Sequence, residues 1–275
     1  MTHLLATSTI PTANSDRNFD DIADHFANKV YGGQKGRIRL AVLERDINEV
    51  LASLTHLDRP LNILDVGAGL AQISLQLAKT HHCTITDISS NMLAKARANA
   101  DELGIKDNTR FITASYQELG DIIKGNTYDV ILCHAVLEWL GEPKAIMDFF
   151  DEFLASDGVL SLCFYNPASP IYRNLVMGNF YQLTTPKTAD NKSLTPNHPV
   201  SLDEVSSWLN ERHYRVLLHS GIRVFSDYAP LKRGGLNNAD DVVAMELKYA
   251  RQLPFRLMGR YLHVMATKST ELIQL

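Results

Sequence analysis

The sequence predicts an α/β fold with a seven-stranded, mostly parallel sheet, and two observations support this. From residue 61 onward, short apolar runs alternate with stretches of helical periodicity, which is typical of parallel strands covered by helices. The first apolar run, 61–66, is continuous rather than alternating, as expected of a strand buried on both faces. The chain shows no internal repeat, so we expect a single domain over residues 16–275.

The positions of these runs predict the individual elements. Helices are expected at 70–78 and 88–97 between the first strands, and at 203–213 and 240–253 near the end of the chain. The carboxyl ends of parallel strands meet at one edge of the sheet, where such folds bind ligands. The strands are expected at 61–66, 83–87, 110–114, 128–133, 158–164, 215–218 and 261–267.

Two segments outside this alternation are predicted to cover the binding edge. Apolar residues recur at helical spacing in 16–31 and again in 35–54, so we expect an N-terminal helical flap over 16–58. Residues 166–200 are rich in proline and show little periodicity, which predicts an inserted lid or substrate loop. Residues 1–15 are rich in Thr, Ser and Ala and are expected to form a flexible tail.

Composition restricts the class of protein. The 275 residues are 45% hydrophobic and 21% charged, which is ordinary for a globular chain. No apolar run approaches the roughly 18 residues of a membrane span, and residues 1–15 lack the features of a signal peptide, so we expect a cytoplasmic protein without membrane contact. The net charge of −4 excludes a uniformly basic surface for nucleic acid, but it does not exclude a local basic patch.

Cysteine usage is consistent with a reducing compartment. Cys83, Cys133 and Cys163 all lie in apolar, strand-like runs. Their odd number and wide spacing favour small buried residues over disulfides. No cysteine–histidine pair has the spacing of metal ligands, so we predict no metal site.

The turn after the first strand carries the clearest functional signal. Gly67 and Gly69 allow a tight turn and a close approach of a ligand to the backbone, and the helix that follows presents free N–H groups. A dinucleotide fingerprint would need a third glycine where Gln72 stands, and no P-loop motif is present. Asp87, 18 residues after Gly69, ends the second strand, where a carboxylate can accept both hydroxyls of a ribose.

The sequence Asp65-x-Gly67-x-Gly69, followed by Asp87, resembles motifs I and II of class I S-adenosylmethionine (SAM) methyltransferases, whose sheet is Rossmann-like. The alternative is a tight strand-to-helix turn that binds no ligand. In the methyltransferase interpretation, Arg39 at the base of the flap is expected to pair with the methionine carboxylate of SAM.

The ends of the third and fourth strands supply further candidates. Ser115, Tyr116 and Gln117 follow the third strand, where the adenine ring lies in this architecture. His134 follows the fourth strand and is expected to contact cofactor or substrate, with a structural histidine as the alternative. The Asn/Asp-Pro-Pro-aromatic motif of enzymes that methylate exocyclic amines is absent here, which argues against that class. Glu138 and Trp139 are interpreted as packing residues, with Glu138 also a charge at a helix start.

A second, more specific resemblance extends from about residue 16 to residue 268. The segments that carry it are 17–23, 31–32, 35–36, 134–139, 158–162, 164–166, 178–180, 221–228 and 259–264. They resemble the bacterial tRNA 5-carboxymethoxyuridine methyltransferases. The resemblance implies transfer of a methyl group from SAM to the carboxylate of the wobble nucleoside 5-carboxymethoxyuridine, giving the methyl ester. It also implies the cofactor contacts: Arg39, Gly67, Ala68, Gly69, Asp87, Ser115, Tyr116, Gln117 and His134.

The implied reaction needs positioning more than acid–base chemistry. A carboxylate with a pKa near 4 is already ionised at neutral pH, so no general base is expected and catalysis rests on alignment and exclusion of water. Arg223, Arg260 and Tyr165 are the candidates to position the substrate carboxylate, with Tyr31 and His134 as further candidates. For each arginine, the alternative is a structural ion pair or a phosphate contact.

The implied partner is the anticodon loop of a tRNA, and no obligate protein partner is expected. Proteins usually recognise such loops through a splayed base stacked on aromatic side chains and through phosphate contacts. Three rival functions stay open: a small-molecule carboxyl or O-methyltransferase, an enzyme that handles carboxy-SAM, and a non-catalytic SAM- or tRNA-binding module. The candidate phosphate contacts are Lys35, Arg37, Lys187, Lys192, Lys232 and Arg233, with a solvated helix start as the favoured alternative for Arg37.

Overall fold

Seven strands form a single sheet in the computed structural model, which describes residue 16 and residues 33–54, 58–185, 196, 199–229 and 233–269. The strands are β1 (Asn62–Val66), β2 (His82–Asp87), β3 (Thr109–Thr113), β4 (Tyr128–His134), β5 (Leu154–Tyr165), β6 (Arg215–Ile222) and β7 (Tyr261–Thr267). Their order across the sheet is β3-β2-β1-β4-β5-β7-β6.

Strand direction confirms the predicted, mostly parallel sheet. β1 to β5 pair in parallel, whereas β7 runs antiparallel to both β5 and β6. The strand order reverses at β1, which pairs with β2 on one side and β4 on the other. The carboxyl ends of β1 and β4 therefore open a crevice at the point where parallel sheets bind their ligands.

Helices cover both faces of the sheet. Ile63 of β1 belongs to one apolar layer and Leu64 to the other, because successive side chains of a strand point to opposite faces. The helices are α1 (Gly33–Ser53), α2 (Gln72–Leu77), α3 (Ser90–Glu102), α4 (Tyr116–Ile122), α5 (Ile146–Phe153), α6 (Ala168–Val176), α7 (Tyr181–Thr184), α8 (Leu202–Glu211) and α9 (Ala239–Tyr249).

The second helix of the expected flap is confirmed as α1, and it is firmly packed. Its buried face, which includes Val42, Leu43 and Ile47, belongs to the apolar layer shared with α2, α3 and the sheet. The same face carries Arg39, whose residue is only 5% exposed. The first flap helix expected at 16–31, the tail at 1–15 and the candidate Tyr31 lie outside the described residues, Asp16 excepted.

The expected lid loop is partly helical. Residues 168–176 and 181–184 form α6 and α7, although the prolines and weak periodicity of 166–200 had predicted irregular chain. The Asn166 side chain explains the start of α6, because its Oδ1 accepts a hydrogen bond from the Ala168 N–H at 3.1 Å. Its Nδ2 donates to the carbonyls of Leu257 and Gly259, which ties this start to the loop before β7. Residues 186–195 lie outside the described part of the chain.

Other expectations concern cysteines, membrane spans and metals. Cys83, Cys133 and Cys163 are free and buried, as predicted. Within the described ranges, no helix is long and apolar enough to cross a membrane. The same ranges contain no group of three or more histidine, cysteine, aspartate or glutamate side chains that could hold a metal ion.

Replacing Phe150 with alanine tests the apolar layer on the α5 face. Phe150 is fully buried, so the Phe150→Ala variant should lose about 3–5 kcal/mol of unfolding free energy through lost burial and a residual cavity. Urea unfolding measures this loss. Phe180 is 60% exposed, and the matched Phe180→Ala variant should stay within about 0.5 kcal/mol of the wild-type value. Equal losses in both variants would contradict the packing described for Phe150.

Candidate active site

A cleft opens at the carboxyl ends of β1, β2 and β4. It encloses about 810 Å³ of empty space, its open mouth included, which suits a ligand the size of a nucleoside derivative. Most of its lining is apolar, with a few polar groups among it. The lining residues are Asp16, Arg39, Val66, Gly67, Ala68, Gly69, Asp87, Ile88, Met92, Ala114, Ser115, Tyr116, His134, Ala135, Val136, Trp139 and Leu140.

The glycine turn brings bare backbone to the floor of this cleft. Gly67 has a φ of 67°, and a Cβ added there would lie 2.4 Å from Cγ2 of Val136. Glycine is therefore required both for the left-handed backbone and for the close approach of the segment after β4. The Ala68 N–H donates to the Thr86 carbonyl at 2.8 Å, which fastens the turn to β2.

Asp87 organises the same turn through its carboxylate. Its Oδ2 accepts a hydrogen bond from the Gly69 N–H at 2.7 Å, and its Oδ1 accepts one from the Ser89 N–H at 2.8 Å. Both oxygens therefore hold backbone in place while the residue lines the cleft. A carboxylate can accept further hydrogen bonds, so these two contacts are compatible with the expected contact between Asp87 and the ribose hydroxyls.

Asp65 stabilises the turn from below. Its residue is 5% exposed, and its Oδ2 accepts a hydrogen bond from the Ser74 hydroxyl of α2 at 2.6 Å. Burial raises the pKa of Asp65 to about 7; the Ser74 hydroxyl opposes this rise, and the negative charge of Asp87 adds to it. The first acidic residue of the motif therefore links β1 to α2 rather than lining the cleft.

Of the three residues expected beside the adenine ring, two line the cleft. Ser115 and Tyr116 line it, and Ser115 also caps α4 by exchanging hydrogen bonds with Glu118. Gln117 does not line the cleft; its Nε2 donates to Oδ2 of Asp16 at 3.1 Å. Asp16, which the sequence did not single out, lines the cleft and also accepts a hydrogen bond from the Gly141 N–H.

Arg39 and His134 lie on the cleft wall, as the sequence predicted. The Arg39 guanidinium stacks on the Tyr261 ring, 4.5 Å from its centroid, so its plane is held by the end of β7. His134 Nε2 lies 2.9 Å from the Ser161 hydroxyl oxygen. Burial holds the pKa of His134 well below its usual value, and the neighbouring His263 and the positive charge of Arg39 add to this effect, so the ring is neutral at pH 7.

A second crevice is connected to the cleft by stacked side chains, which we call the stacked wall: Arg39, Tyr261, Tyr165 and Arg260. The rings of Tyr261 and Tyr165 meet edge to face, with centroids 5.6 Å apart. The Arg260 guanidinium lies 4.9 Å from the centroid of the Tyr165 ring. The crevice is lined by Lys35, Tyr165, Pro170, Arg173, Asn174, Gln182, Ser226, Asp227 and Arg260.

The two candidate arginines occupy different surroundings. Arg223 has a φ of 62° and forms an ion pair with Asp227 at 3.3 Å. The turn that carries it is held by the buried Glu246, whose carboxylate accepts hydrogen bonds from the N–H groups of residues 224–226. Among the described residues, no carboxylate forms an ion pair with Arg260. Arg223 thus forms a structural ion pair, one of the alternatives stated for both arginines, whereas Arg260 faces the crevice.

The structure describes half of the candidate phosphate patch. Lys35 lines the crevice. Arg37 is exposed near the start of α1 and forms an ion pair with Asp240. Arg233 is exposed at the start of a short 3₁₀ helix, 234–237. Lys187, Lys192 and Lys232 lie outside the described residues.

Glu138 lies close to the site without lining the cleft. It is on a 3₁₀ helix, Leu137–Trp139, and is only 1% exposed, which agrees with the packing role expected of it. Burial raises the pKa of Glu138 to about 7, against the backbone N–H groups of Glu138 and Tyr165 and the positive charge of Arg39. Nothing in the sequence indicated this raised pKa.

The fold and the cleft together define a class I SAM-dependent methyltransferase. A family model described as "Methyltransferase domain" matches residues 57–213. Among solved structures, magnesium protoporphyrin IX methyltransferase from Synechocystis PCC 6803 with bound SAH aligns over 91% of this chain and 96% of its own, with a TM-score of 0.57 and 16% identity. A plantazolicin methyltransferase bound to SAH aligns over 90% of this chain and 91% of its own, at a TM-score of 0.55 and 17% identity.

Sequence comparison narrows the class. The proteins named tRNA 5-carboxymethoxyuridine methyltransferase in Escherichia coli O157:H7 and in Escherichia coli strain K12 are each 36% identical to this chain. The aligned regions span 92% of this chain and 97% of each relative. The chain therefore belongs to the family of tRNA 5-carboxymethoxyuridine methyltransferases, and its cofactor is SAM.

Gly67→Ala should damage the cleft beyond the cost of an unfavourable φ. The variant should bind SAM at least about tenfold more weakly and lose more than about 1 kcal/mol of unfolding free energy, because the new Cβ meets Val136. Calorimetry and urea unfolding measure the two losses. Gly104 has a similar φ of 68° but nothing within 4 Å of an added Cβ. The Gly104→Ala control should therefore show the strain alone, with wild-type affinity for SAM.

Glu138→Gln should flatten the dependence of stability on pH. The pKa of Glu138 rises on folding from 4.5 to about 7, so the folded state holds this proton over an interval in which the unfolded state has released it. The associated stabilisation is present below about pH 4.5 and is lost as the pH rises toward 7, by up to about 1.4 kcal/mol per pH unit.

Urea unfolding between about pH 5 and pH 8 should show this slope in the wild type and a reduced slope in Glu138→Gln. Glu152 is exposed on α5, and its Glu152→Gln variant should keep the wild-type slope. A Glu138→Gln slope equal to that of the wild type would show that the glutamate is ionised in the folded protein.

Proposed function

We propose that this protein transfers a methyl group from SAM to the carboxylate of 5-carboxymethoxyuridine in tRNA and forms the methyl ester. The observation that carries the proposal is the placement of Arg260. In a family whose curated relatives are named for this nucleoside, Arg260 faces a crevice and pairs with no carboxylate among the described residues. A guanidinium in this position suits a carboxylate that arrives with the substrate.

The cleft fits the cofactor on three counts. The Gly67 turn leaves backbone bare where a Cβ would collide with Val136, so the floor can approach a ligand closely. Asp87, at the end of β2, is placed for the ribose hydroxyls. Arg39, buried on the wall, is placed for the methionine carboxylate.

The adenine ring belongs, in this proposal, at the opposite end of the cleft. Ser115 and Tyr116 line that end, together with apolar side chains that include Ile88 and Met92. Gly67, Ala68 and Gly69 would contribute backbone only. Gln117 would act through Asp16, to which its amide donates, rather than by direct contact.

The chemistry follows from positioning. When bound, SAM supplies an electrophilic methyl group on a sulfonium. The substrate carboxylate is ionised at neutral pH and needs no base, so the residues of this chain have to orient it and exclude water. Arg260 and Tyr165 face the crevice from the stacked wall, and Arg39 ends that wall in the cofactor cleft. In this proposal, Arg260 and Tyr165 therefore hold the substrate carboxylate on the side of the wall that leads to the cofactor cleft.

Arg223 assists indirectly in this proposal. Its guanidinium pairs with Asp227, another crevice residue, and lies 5.7 Å from the centroid of the Tyr261 ring. It therefore neutralises a carboxylate that would otherwise repel an anionic substrate. Direct capture of the substrate falls to Arg260 and Tyr165.

Exposed groups around the crevice favour a tRNA loop as the substrate. Lys35 and Arg173 add positive charge to its lining, and Tyr172, Phe180 and Tyr181 are between 42% and 63% exposed on α6, α7 and the turn between them. Bases splayed from an anticodon loop can stack on such rings while the phosphates meet the cations. Action on tRNA is also the basis on which we propose a cytoplasmic location.

Removing Arg260 should separate substrate capture from cofactor binding. Arg260→Ala should lower kcat/KM for tRNA by at least about 100-fold, since a charge-assisted pair with the carboxylate is lost, while calorimetry shows an unchanged Kd for SAM. Arg223→Ala, the matched arginine variant, should lose less, about tenfold, because its contact is with Asp227. Wild-type kinetics in Arg260→Ala would refute its role as the carboxylate contact.

The reaction itself is tested with labelled SAM and tRNA from a strain that lacks this protein. Nucleoside analysis should find the label as a base-labile methyl ester of 5-carboxymethoxyuridine. Turnover on free carboxylic acids without tRNA would favour a small-molecule methyltransferase instead. SAM binding without any transfer would favour a binding module, and mass spectrometry of the ligand carried through purification would reveal a carboxylated cofactor.

A further inference from the structure

A buried chain of hydrogen bonds runs from α1 to the cofactor cleft. The carboxylate of Asp46 lies 2.9 Å from Nδ1 of His263, and Nε2 of His263 lies 2.9 Å from the Ser161 hydroxyl oxygen. The same oxygen lies 2.9 Å from Nε2 of His134, a residue of the cleft lining. Asp46, Ser161 and His263 are each 0% exposed, so water does not reach the chain before its last member.

The negative charge of Asp46, at the α1 end of the chain, determines which group donates and which accepts in each hydrogen bond. Two guanidinium groups already meet Oδ1 of Asp46, from Arg45 at 2.6 Å and from Arg251 at 2.7 Å. Burial acts to raise the pKa of Asp46, but the hydrogen bond from His263, the positive charge of Arg45 and a hydrogen bond with Ser220 outweigh it and hold this pKa well below its usual value. An ionised carboxylate only accepts hydrogen bonds, so Nδ1 of His263 carries a proton.

The charges around His263 balance without it. Asp46 and Glu49 carry two negative charges, which Arg45 and Arg251 match, so an imidazolium at the fully buried His263 would add an unmatched cation. Nε2 of neutral His263 is then bare and accepts from the Ser161 hydroxyl. A hydroxyl that donates to one ring accepts from the other, so Ser161 receives its hydrogen bond from Nε2–H of His134.

We infer that Asp46, His263 and Ser161 are positioning residues that hold His134 in the neutral tautomer with a proton on Nε2. Nδ1 of His134 is then a hydrogen-bond acceptor in the cofactor cleft. A carboxylate fixes the tautomer of a neighbouring imidazole in the same way in other hydrogen-bonded histidines. Here the Asp46 carboxylate fixes the tautomer of His134 indirectly, through hydrogen bonds of His263 and Ser161.

The acceptor at His134 has a defined chemical partner, and this step rests on the proposed cofactor site. If Arg39 pairs with the carboxylate of the methionine moiety, the α-ammonium is attached to the neighbouring carbon. Arg39 and His134 line the same cleft, and the positive charge of Arg39 helps to keep the His134 ring neutral. A bare ring nitrogen accepts a hydrogen bond from an ammonium, whereas an N–H would repel it. The chain thus selects the tautomer that suits the amino acid end of SAM.

Asp46→Asn should reverse the donor–acceptor direction of every hydrogen bond in the chain. The amide oxygen of the new side chain would face the two guanidinium groups, so its NH2 group would point at Nδ1 of His263. His263 would then carry its proton on Nε2 and donate to Ser161, and Ser161 would donate to Nε2 of His134. The proton of His134 would move to Nδ1, and the acceptor in the cleft would be lost.

Nitrogen NMR of the full-length protein labelled at histidine reads the tautomer directly, without SAM or activity. The wild type should show a protonated Nε2 and a bare Nδ1 at His134, identified by its absence in a His134→Gln sample. Asp46→Asn should show the opposite assignment. Calorimetric Kd for SAM should rise at least about tenfold in Asp46→Asn and in Ser161→Ala, which breaks the chain at its centre.

Ser220→Ala is the matched control. Ser220 is also 0% exposed; its hydroxyl meets Arg45 and Arg251 and forms a hydrogen bond with Asp46, but it is not part of the chain from Asp46 to His134. This variant should keep the wild-type tautomer and a Kd within about twofold of the wild type. 5′-Methylthioadenosine, which lacks the amino acid moiety, should bind equally well to the wild type, Asp46→Asn, Ser161→Ala and Ser220→Ala.

Two results would overturn the inference: an unchanged His134 tautomer in folded Asp46→Asn, or wild-type SAM affinity in both Asp46→Asn and Ser161→Ala. Circular dichroism checks folding, and Ser161→Ala keeps the test decisive should Asp46→Asn fail to fold. None of these readouts uses tRNA. Failure of the proposed tRNA reaction would therefore appear as intact SAM binding without methyl transfer, whereas failure of the inference would leave the reaction in place.

Discussion

The buried carboxylate of Asp46 is the constraint on which the placement of the site depends. A charge without access to water must be matched by several donors, and here two arginines and His263 supply them. These partners come from α1, from the residues after α9 and from β7, so α1 is held against the antiparallel part of the sheet. Arg39 lies seven residues before Asp46, on the same face of α1, and reaches the cleft in consequence.

The antiparallel strands β6 and β7 give this parallel sheet a second binding region. β7 lies beside β5, so Tyr261 stands next to Tyr165 and carries Arg39 on one side. The cofactor cleft and the crevice thereby share the stacked wall. Methyl transfer to a carboxylate brings two anions together, that of the methionine moiety and that of the substrate, and we propose Arg39 and Arg260, at the two ends of the wall, as their respective partners.

Local pattern was enough to predict the sheet and the glycine turn at the floor of the cleft. Buried parallel strands appear as apolar runs, and Gly67, Gly69 and Asp87 mark where the chain must turn tightly. Prediction was weaker where distant residues decide the outcome. The Gln117 side chain donates to Asp16, Arg223 pairs with Asp227, and the Asn166 side chain, which accepts from the Ala168 N–H at the start of α6, is held by the loop before β7.

The sequence by itself determined the fold class, the cofactor and the family. The fold class and the cofactor follow from short-range periodicity and from residues close along the chain, and the family follows from segments shared between about residues 16 and 268. Only the tertiary structure decided the state of the buried polar groups. Glu138 and Asp46 are both acidic, yet burial raises the pKa of Glu138 to about 7, whereas cations and His263 lower that of Asp46. Desolvation and charge partners come from segments far apart in the chain, with Asp46 and His263 separated by 217 positions, and no local pattern records them.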